Sequence, residues 1–234
     1  MIRSLLFYIA ATIWLFIVGI IFSPVIFLPS RFVIIIVGKV WAGGTYYLLK
    51  TICNLSVVVK GKKFMPKHSA IYASKHQSAL ETFMYLFILN KPVFILKKEL
   101  LKLPVIGFYM KKMGMIAIDR NGGIKSLKFL LEQVQEKIND GYSIVIFPEG
   151  TRTSPGKTVD YHPGIAAIYN LKAAPVIPVA LNTGMFWPKD TILKKPGKTI
   201  IEFLPAISNE LDKRSFMEEL KKTIEEKCLV ISRN

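Results

Sequence analysis

The stretch Ile144-Val-Ile-Phe-Pro-Glu-Gly-Thr-Arg152 is an apolar run that ends in a polar turn. Runs of β-branched and aromatic residues favour a buried strand, and Pro148 cannot donate to a sheet ladder, so we expect the strand to end before it. Gly150 permits a tight or left-handed backbone in the turn. Strand ends in α/β folds usually hold ligand sites, which makes Glu149 and Arg152 candidate site residues. The structural alternative is that the two form a surface ion pair.

Short β-rich runs alternate with helical stretches on both sides of this strand, from about residue 55 onward. This alternation is typical of an α/β domain. The clearest helical pattern runs from Ile124 to Asn139, where apolar residues recur at a spacing of three and four, and a second runs from Lys213 to Cys228. The predicted strands are Val57–Lys60, Ala70–Ala73, Val93–Leu96, Met115–Ile118, Ile144–Phe147, Val176–Leu181 and Thr199–Phe203.

The amino-terminal segment has a different pattern. Leu5 to Leu28 contains no charged residue, and a helix rising ~1.5 Å per residue over that length can cross a hydrocarbon layer of ~30 Å. A second apolar run, Phe32 to Val37, follows it. The first helix either spans the membrane or forms half of a helical hairpin inserted in one leaflet. We therefore divide the chain into membrane-anchoring helices at residues 1–54 and an α/β domain at residues 55–234.

The chain is both basic and apolar, with 32 Lys and Arg against 16 Asp and Glu and a hydrophobic fraction of 51%. Such a charge suggests a polyanionic partner, which is a nucleic acid, an acidic carrier protein or an anionic membrane. The apolar amino terminus favours the membrane, and the absence of a nucleic-acid motif argues against nucleic acid. Arg31, Lys39 and Lys50 follow the first apolar segment, which places the rest of the chain on the cytoplasmic side.

A histidine and a carboxylate lie five positions apart in Ser74-Lys-His-Gln-Ser-Ala-Leu-Glu81. Within one regular helix they would lie on different faces, so a contact requires His76 on the turn before the helix predicted at Thr82 to Leu89. There Glu81 can accept from one ring nitrogen and leave the other free to take a proton from a hydroxyl. The alternative is a capping box, in which Ser78 caps the helix and Glu81 reaches back.

A third constellation, Gly114-Met-Ile-Ala-Ile-Asp-Arg120, is a short apolar run that ends in charge. The planar guanidinium of Arg120 suits a phosphate, because it donates two hydrogen bonds in parallel. Taken alone, an arginine in this place is more often a solvated loop residue. Its value as a site candidate comes from its occurrence with the other two constellations.

These segments resemble the lysophosphatidic acid acyltransferase family, also called 1-acylglycerol-3-phosphate O-acyltransferases, over about residues 70 to 182. His76 to Glu81 resembles the family's first motif, in which a histidine is the catalytic base and an acid, most often Asp, orients it. Glu81 departs from that pattern by one methylene. Gly114 to Arg120 resembles the second motif, whose arginine binds the acceptor phosphate. Phe147 to Arg152 matches the third motif fully.

The resemblance implies an α/β fold with a mixed sheet flanked by helices, preceded by a hydrophobic helical membrane motif. The segment Val176 to Val179 is similar to the fourth, apolar motif near the acyl chain. One lysine of the pair at 97 and 98 is expected to face the phosphate, and the sequence does not choose between them. The implied catalytic residues are His76 and Glu81, and the implied substrate-binding residues are Arg120, Glu149, Gly150, Thr151, Arg152, Lys97 and Lys98.

The reaction that the resemblance implies is transfer of a fatty acyl chain from an acyl thioester, either acyl-CoA or acyl carrier protein, to the sn-2 hydroxyl of lysophosphatidic acid. No Gly-x-Ser-x-Gly element occurs, and neither cysteine has a histidine nearby in sequence, so a covalent acyl-enzyme is not expected. No cofactor or metal is expected, since the three histidines and two cysteines have no ligand spacing. The expected location is the cytoplasmic membrane, with the catalytic domain on its cytoplasmic face and anionic lipids as neighbours.

Two alternatives remain open. Another lysolipid or glycerol 3-phosphate is the alternative acceptor, because related acyltransferases carry the same motifs. Outside the enzyme class, the chain is a basic, membrane-anchored module that binds lipid or a carrier protein without turnover.

Overall fold

One sheet organises the chain after residue 54 in the computed structural model, which describes residues 1–27, 31–119 and 122–233. Its strands are β1 Leu55–Lys60, β2 Ile71–Ser74, β3 Pro92–Lys97, β4 Ile116–Ile118, β5 Ser143–Ile146, β6 Val176–Leu181 and β7 Gly197–Phe203. The helices are α1 Ile2–Ile21, α2 Arg31–Cys53, α3 Leu80–Ile88, α4 Ile106–Lys112, α5 Gly123–Asn139, α6 Gly164–Tyr169, α7 Thr183–Phe186 and α8 Lys213–Arg233. Shorter 3₁₀ turns occupy Ser23–Phe27, Lys62–Phe64 and Lys98–Lys102.

The strand order is β1-β7-β6-β2-β5-β3-β4, and neighbouring strands are parallel except for the antiparallel pair β6 and β7. The mixed sheet flanked by helices is thereby confirmed, and the predicted strands are found with ends within two residues. Strands β2, β5 and β6 are buried on both faces, which explains why their sequences are continuous apolar runs. One face of the sheet packs against α5, α6 and α8, and the other packs against α3 and the amino-terminal helices.

The helices predicted at residues 124–139 and 213–228 are both found, as α5 and α8, but their buried faces do not coincide with the full length of their apolar patterns. In α5, Leu130 and Val134 are buried, whereas Ile124 in the first turn is 87% exposed, so the apolar stripe continues past the core. In α8, Cys228 and Ile231 continue the buried face, which is why the helix runs on to Arg233, beyond its predicted end.

The apolar segment that begins at Leu5 does not continue as one helix through Pro24, a residue that can kink or end a helix. Helix α1 ends at Ile21. Pro24 has no N–H to donate to the carbonyl of Ile20, and the Ser23 hydroxyl bonds that carbonyl instead at 2.8 Å. Helices α1 and α2 are each long and apolar enough to cross a membrane, by length and composition only.

Helices α1 and α2 pack against each other as an antiparallel hairpin. A Cβ at Gly44 would lie 2.3 Å from the Trp14 ring, so glycine is required for this close approach. The Trp14 indole N–H donates to the carbonyl of Trp41 at 3.0 Å. The outward face of α1 leaves large apolar side chains uncovered, among them Ile9 and Ile13, each at least half exposed. Such a face marks a surface that contacts lipid or another protein.

Both ends of α1 contact the domain that contains the sheet. Near its start, the Ser4 hydroxyl accepts the backbone N–H of Lys194 at 2.9 Å. The Lys194 ammonium lies 4.3 Å from the centroid of the Trp187 ring, and burial lowers the pKa of this lysine to about 8. Near its other end, the Tyr109 hydroxyl donates to the carbonyl of Gly19 at 3.4 Å. Helix α1 therefore lies along the domain.

Candidate active site

Four neighbouring parallel strands, in the order β6-β2-β5-β3, end at the same edge of the sheet. Thr183 follows β6, His76 follows β2, the Gly150 turn follows β5, and Lys97 ends β3. Because the carboxyl ends of parallel strands face one edge, residues that are distant in sequence converge there. The left-handed backbone expected at Gly150 is confirmed by its φ of 65°.

His76 lies on the turn between β2 and α3, the position that its contact with Glu81 requires. Its Nδ1 is 2.8 Å from Glu81 Oε1. An ionised carboxylate can only accept, so Nδ1 carries the proton and Nε2 is left with its lone pair. The Phe147 ring stacks on the imidazole, with centroids 3.9 Å apart and planes 19° apart, and this contact fixes the ring orientation. The arrangement can take up a proton at Nε2.

The Glu81 carboxylate serves the helix and the histidine together. Its Oε1 also accepts the N–H of Ser78 at 2.6 Å, and the Ser78 hydroxyl accepts the N–H of Leu80 at 3.1 Å, as in a capping box. Its Oε2 accepts the hydroxyl of Thr183 at 2.7 Å. The side chain is fully buried. Capping and contact with His76, which the sequence presented as alternatives, therefore coexist.

Glu149 lies behind His76. Its carboxylate is 0% exposed, and its Oε2 accepts the backbone N–H of His76 at 2.7 Å. Its Oε1 accepts the Thr153 hydroxyl at 2.6 Å and pairs with Lys75 at 2.7 Å. The resemblance implied that Glu149 binds the acceptor, but these contacts direct its carboxylate into the protein. Its neighbours Gly150, Thr151 and Arg152 line the open side of the site instead.

A cavity of about 460 Å³ opens beside the imidazole. It brings together His76, Lys97, Thr151 and Arg152 from the ends of three strands. The rest of its wall is mainly apolar and comes from both amino-terminal helices, α3, β3, α4 and the residue that follows α4: Leu15, Val18, Val37, Trp41, Phe83, Leu86, Leu96, Ile106, Met110 and Met113. The amino-terminal hairpin thus forms one wall of the site.

The three other residues predicted to contact phosphate, Lys97, Lys98 and Arg120, differ from one another in their surroundings. Lys98 forms an ion pair with Asp119, and both side chains are exposed. Lys97 lines the cavity. Arg120 lies outside the described residues, so its contact with phosphate stays a prediction.

The family model and the relatives that match this chain agree on one protein family. The sequence model of the Acyltransferase family matches residues 56–182. The chain is 30% identical to the 1-acyl-sn-glycerol-3-phosphate acyltransferase of Pseudomonas aeruginosa over 96% of this chain and 88% of that protein. The chain belongs to the acyltransferase family. It is also 26% identical to the protein of the same name from Limnanthes douglasii, over 80% of this chain and 66% of that one.

The fold of this acyltransferase is also found in a solved structure. The crystal structure of the 1-acyl-sn-glycerophosphate acyltransferase PlsC from Thermotoga maritima superposes with a TM-score of 0.81. The alignment covers 100% of this chain and 96% of that one, at 21% identity. Within the residues that the structure describes here, no group of three His, Cys, Asp or Glu side chains is arranged to hold a metal ion.

Several residues that hold the candidate site together were not singled out from the sequence. Thr183 bonds Glu81, which is 102 positions away, and Thr153 bonds the carbonyl of His76, which is 77 positions away. A single sequence gives no signal for such long-range partners. Lys75 has a local signal, because it follows a run of small and apolar residues and a buried lysine needs a charged partner.

Proposed function

We propose that the enzyme transfers a fatty acyl chain from an acyl thioester to the sn-2 hydroxyl of 1-acyl-sn-glycerol 3-phosphate, which gives phosphatidic acid. The observation that carries this proposal is the cavity, which has a carboxylate-backed imidazole and two cationic side chains, Lys97 and Arg152, within mainly apolar walls. A lysophospholipid would place its hydroxyl at the imidazole, its phosphate at the two cationic side chains and its acyl chain against the apolar walls. The names of the relatives from Pseudomonas aeruginosa and Limnanthes douglasii support the same acceptor.

In the proposed mechanism, Nε2 of His76 takes the proton of the acceptor hydroxyl. The hydroxyl oxygen attacks the thioester carbonyl, and the tetrahedral intermediate collapses with loss of the thiolate, which can recover the proton from His76. Glu81 keeps Nδ1 protonated and stabilises the imidazolium that forms, so the step needs no protein nucleophile. General-base assistance contributes about 10² to 10⁴ in rate, and holding both substrates in register contributes more.

We propose that the hairpin of α1 and α2 inserts in one leaflet of an anionic membrane. A helix that crossed the bilayer would put its two ends on opposite sides, about 30 Å apart. Ser4 and Gly19, near the two ends of α1, both bond residues of the same domain, which favours half-insertion. The exposed apolar face of α1 would then meet lipid tails while the domain stays on the cytoplasmic face.

Lys97, rather than Lys98, is proposed to contact the phosphate together with Arg152. Lys97→Ala should raise KM for lysophosphatidic acid about tenfold with a smaller change in kcat, because a charge-assisted contact made equally in the ground and transition states is lost. Lys98→Ala is the matched control, since its ammonium is committed to Asp119 at an exposed site. Initial rates on mixed micelles check both variants, and equal effects on KM would contradict the assignment.

The experiment that tests the proposed function is an acyl-transfer assay on the purified full chain in lipid vesicles. Acyl-CoA and the acyl thioester of acyl carrier protein, each with a radiolabelled acyl chain, are offered with lysophosphatidic acid, lysophosphatidylcholine or glycerol 3-phosphate. We expect labelled phosphatidic acid from lysophosphatidic acid with at least one donor. Preferred acylation of either other acceptor would contradict the proposed substrate, and no transfer with either donor would favour the binding module.

A further inference from the structure

A second cluster of charges is buried directly behind the turn that carries His76. Lys75 is 1% exposed, and its ammonium lies 2.7 Å from Glu149 Oε1 and 2.7 Å from Glu225 Oε1. It also donates to the carbonyl of Lys157 at 3.1 Å. Burial alone would lower the pKa of Lys75, but the two carboxylates outweigh it and hold the pKa above its ordinary value. Lys75 is therefore a fully paired ammonium at neutral pH.

This cluster reaches His76 through Glu149. The backbone N–H of His76 donates to Glu149 at 2.7 Å, and the backbone carbonyl of His76 accepts the N–H of Thr153 at 2.8 Å. Thr153 is itself bonded to Glu149 through its hydroxyl at 2.6 Å. The N–H of His76 thus bonds the Glu149 carboxylate directly, and its carbonyl is linked to the same carboxylate through Thr153. Lys75 balances the charge of that carboxylate.

Glu225 brings the carboxyl-terminal helix into the cluster. It projects from α8, whose Leu220 and Ile224 are fully buried in the core, and the Tyr161 hydroxyl donates to it at 3.0 Å. Helix α8 lies beyond residues 56–182, the part that matches the family sequence model. Burying a charge is costly, and a buried ion pair is weak evidence for stability alone.

We propose that Glu225 is a positioning residue that sets the place of the His76 backbone through Lys75 and Glu149. Helix α8 is then part of the catalytic apparatus, although none of the cavity-lining residues comes from it. When Glu225 is lost, Lys75 keeps its bonds to Glu149 and to the Lys157 carbonyl, but it loses the carboxylate that holds its ammonium on the side of α8. The inference rests on the proposed role of His76, because a shift of that turn matters only if the imidazole acts on substrate. Displacement of a catalytic group by about 1 Å can cost up to about 10² in rate.

The test compares Glu225→Ala, Glu225→Gln and the matched control Glu226→Ala on the full chain in vesicles, well below each variant's melting temperature. Glu226 is the exposed neighbour on the same helix. Glu225→Ala should lower kcat about tenfold, and Glu225→Gln, whose amide oxygen still accepts from Lys75, about threefold. KM for lysophosphatidic acid should stay within about twofold for both, and Glu226→Ala should match the wild type.

A kcat that is unchanged in Glu225→Gln, or a loss confined to KM, would overturn the inference. If Glu225→Ala does not fold, Glu225→Gln decides alone by the same criterion. The wild-type rate reports separately on the proposed function. A wild-type protein that acylates lysophosphatidic acid beside fully active Glu225 variants removes only this inference, whereas an inactive wild type removes the proposed function.

Discussion

Replacement of His76 by alanine is expected to lower kcat by about 10² to 10⁴ while the protein stays folded. The buried Glu81 carboxylate binds Nδ1 of the imidazole, and Nε2 is left to accept a proton in the cavity. Loss of the imidazole therefore leaves the acceptor hydroxyl without a base. The remaining rate reflects binding of the two substrates side by side. Single-turnover rates of labelled acyl transfer measure the effect, and thermal unfolding in detergent checks the fold.

His68→Ala is the matched control for this prediction. His68 is exposed and lines a separate opening with residues 172–175. Its replacement should leave the rate within about twofold of wild type, as surface substitutions usually do. A His76→Ala protein that keeps the wild-type rate would eliminate general-base catalysis by this residue, and with it the proposed mechanism.

Glu81→Gln is expected to lower kcat by about 10² without a matching loss of stability. The glutamine carbonyl oxygen can still accept from His76, Gln77 and Ser78. Its amide N–H can donate to the Thr183 hydroxyl, which then accepts a hydrogen bond instead of donating one. Every bond of the cap is then kept. Only the negative charge that stabilises the imidazolium is lost.

The pair of measurements that separates these contributions is kcat and the melting temperature of the same preparation. A melting temperature within a few degrees of wild type with kcat strongly reduced assigns the charge to catalysis. If kcat is retained, Glu81 is a helix cap and nothing more. Glu81→Ala supplies the contrast, because it removes both the charge and the cap and should lose stability as well as rate.

Much of the fold was predictable because its signals are local. The buried strands β2, β5 and β6 are continuous apolar runs, and the amphipathic pattern identified α5 and α8. Shorter elements such as α4 were missed, because seven residues hold too few repeats of a helical pattern. Pro24 marks in the sequence where the first helix can end, but the bond of the Ser23 hydroxyl to the Ile20 carbonyl is seen only in the structure.

The candidate site likewise contains residues that local sequence patterns identify and residues that only the tertiary structure identifies. His76 with Glu81, and the turn from Gly150 to Arg152, are sequence-local patterns that the structure brings to one edge of the sheet. Thr183, Lys75 and Glu225 join them only through tertiary contacts. Glu149 shows the limit most clearly, because its position in the motif suggested contact with substrate while its partners lie behind the histidine. A motif gives the residue type and its place, and packing gives the direction of the side chain.

The amino-terminal hairpin, which we propose to be the membrane anchor, also forms part of the candidate site. Leu15, Val18 and Trp41 form part of the cavity wall, so removal of the hairpin would open the apolar side of the site to water. The proposed membrane anchor would then also be part of the proposed substrate-binding site.

The most direct measurement of the central claim is the structure of the Glu81→Gln variant with lysophosphatidic acid bound, since this variant keeps the imidazole but turns over slowly. We expect the acceptor hydroxyl oxygen within about 2.6 to 3.2 Å of Nε2 of His76, and the phosphate against Lys97 and Arg152. A phosphate bound away from these cations, with the hydroxyl out of reach of His76, would contradict the account.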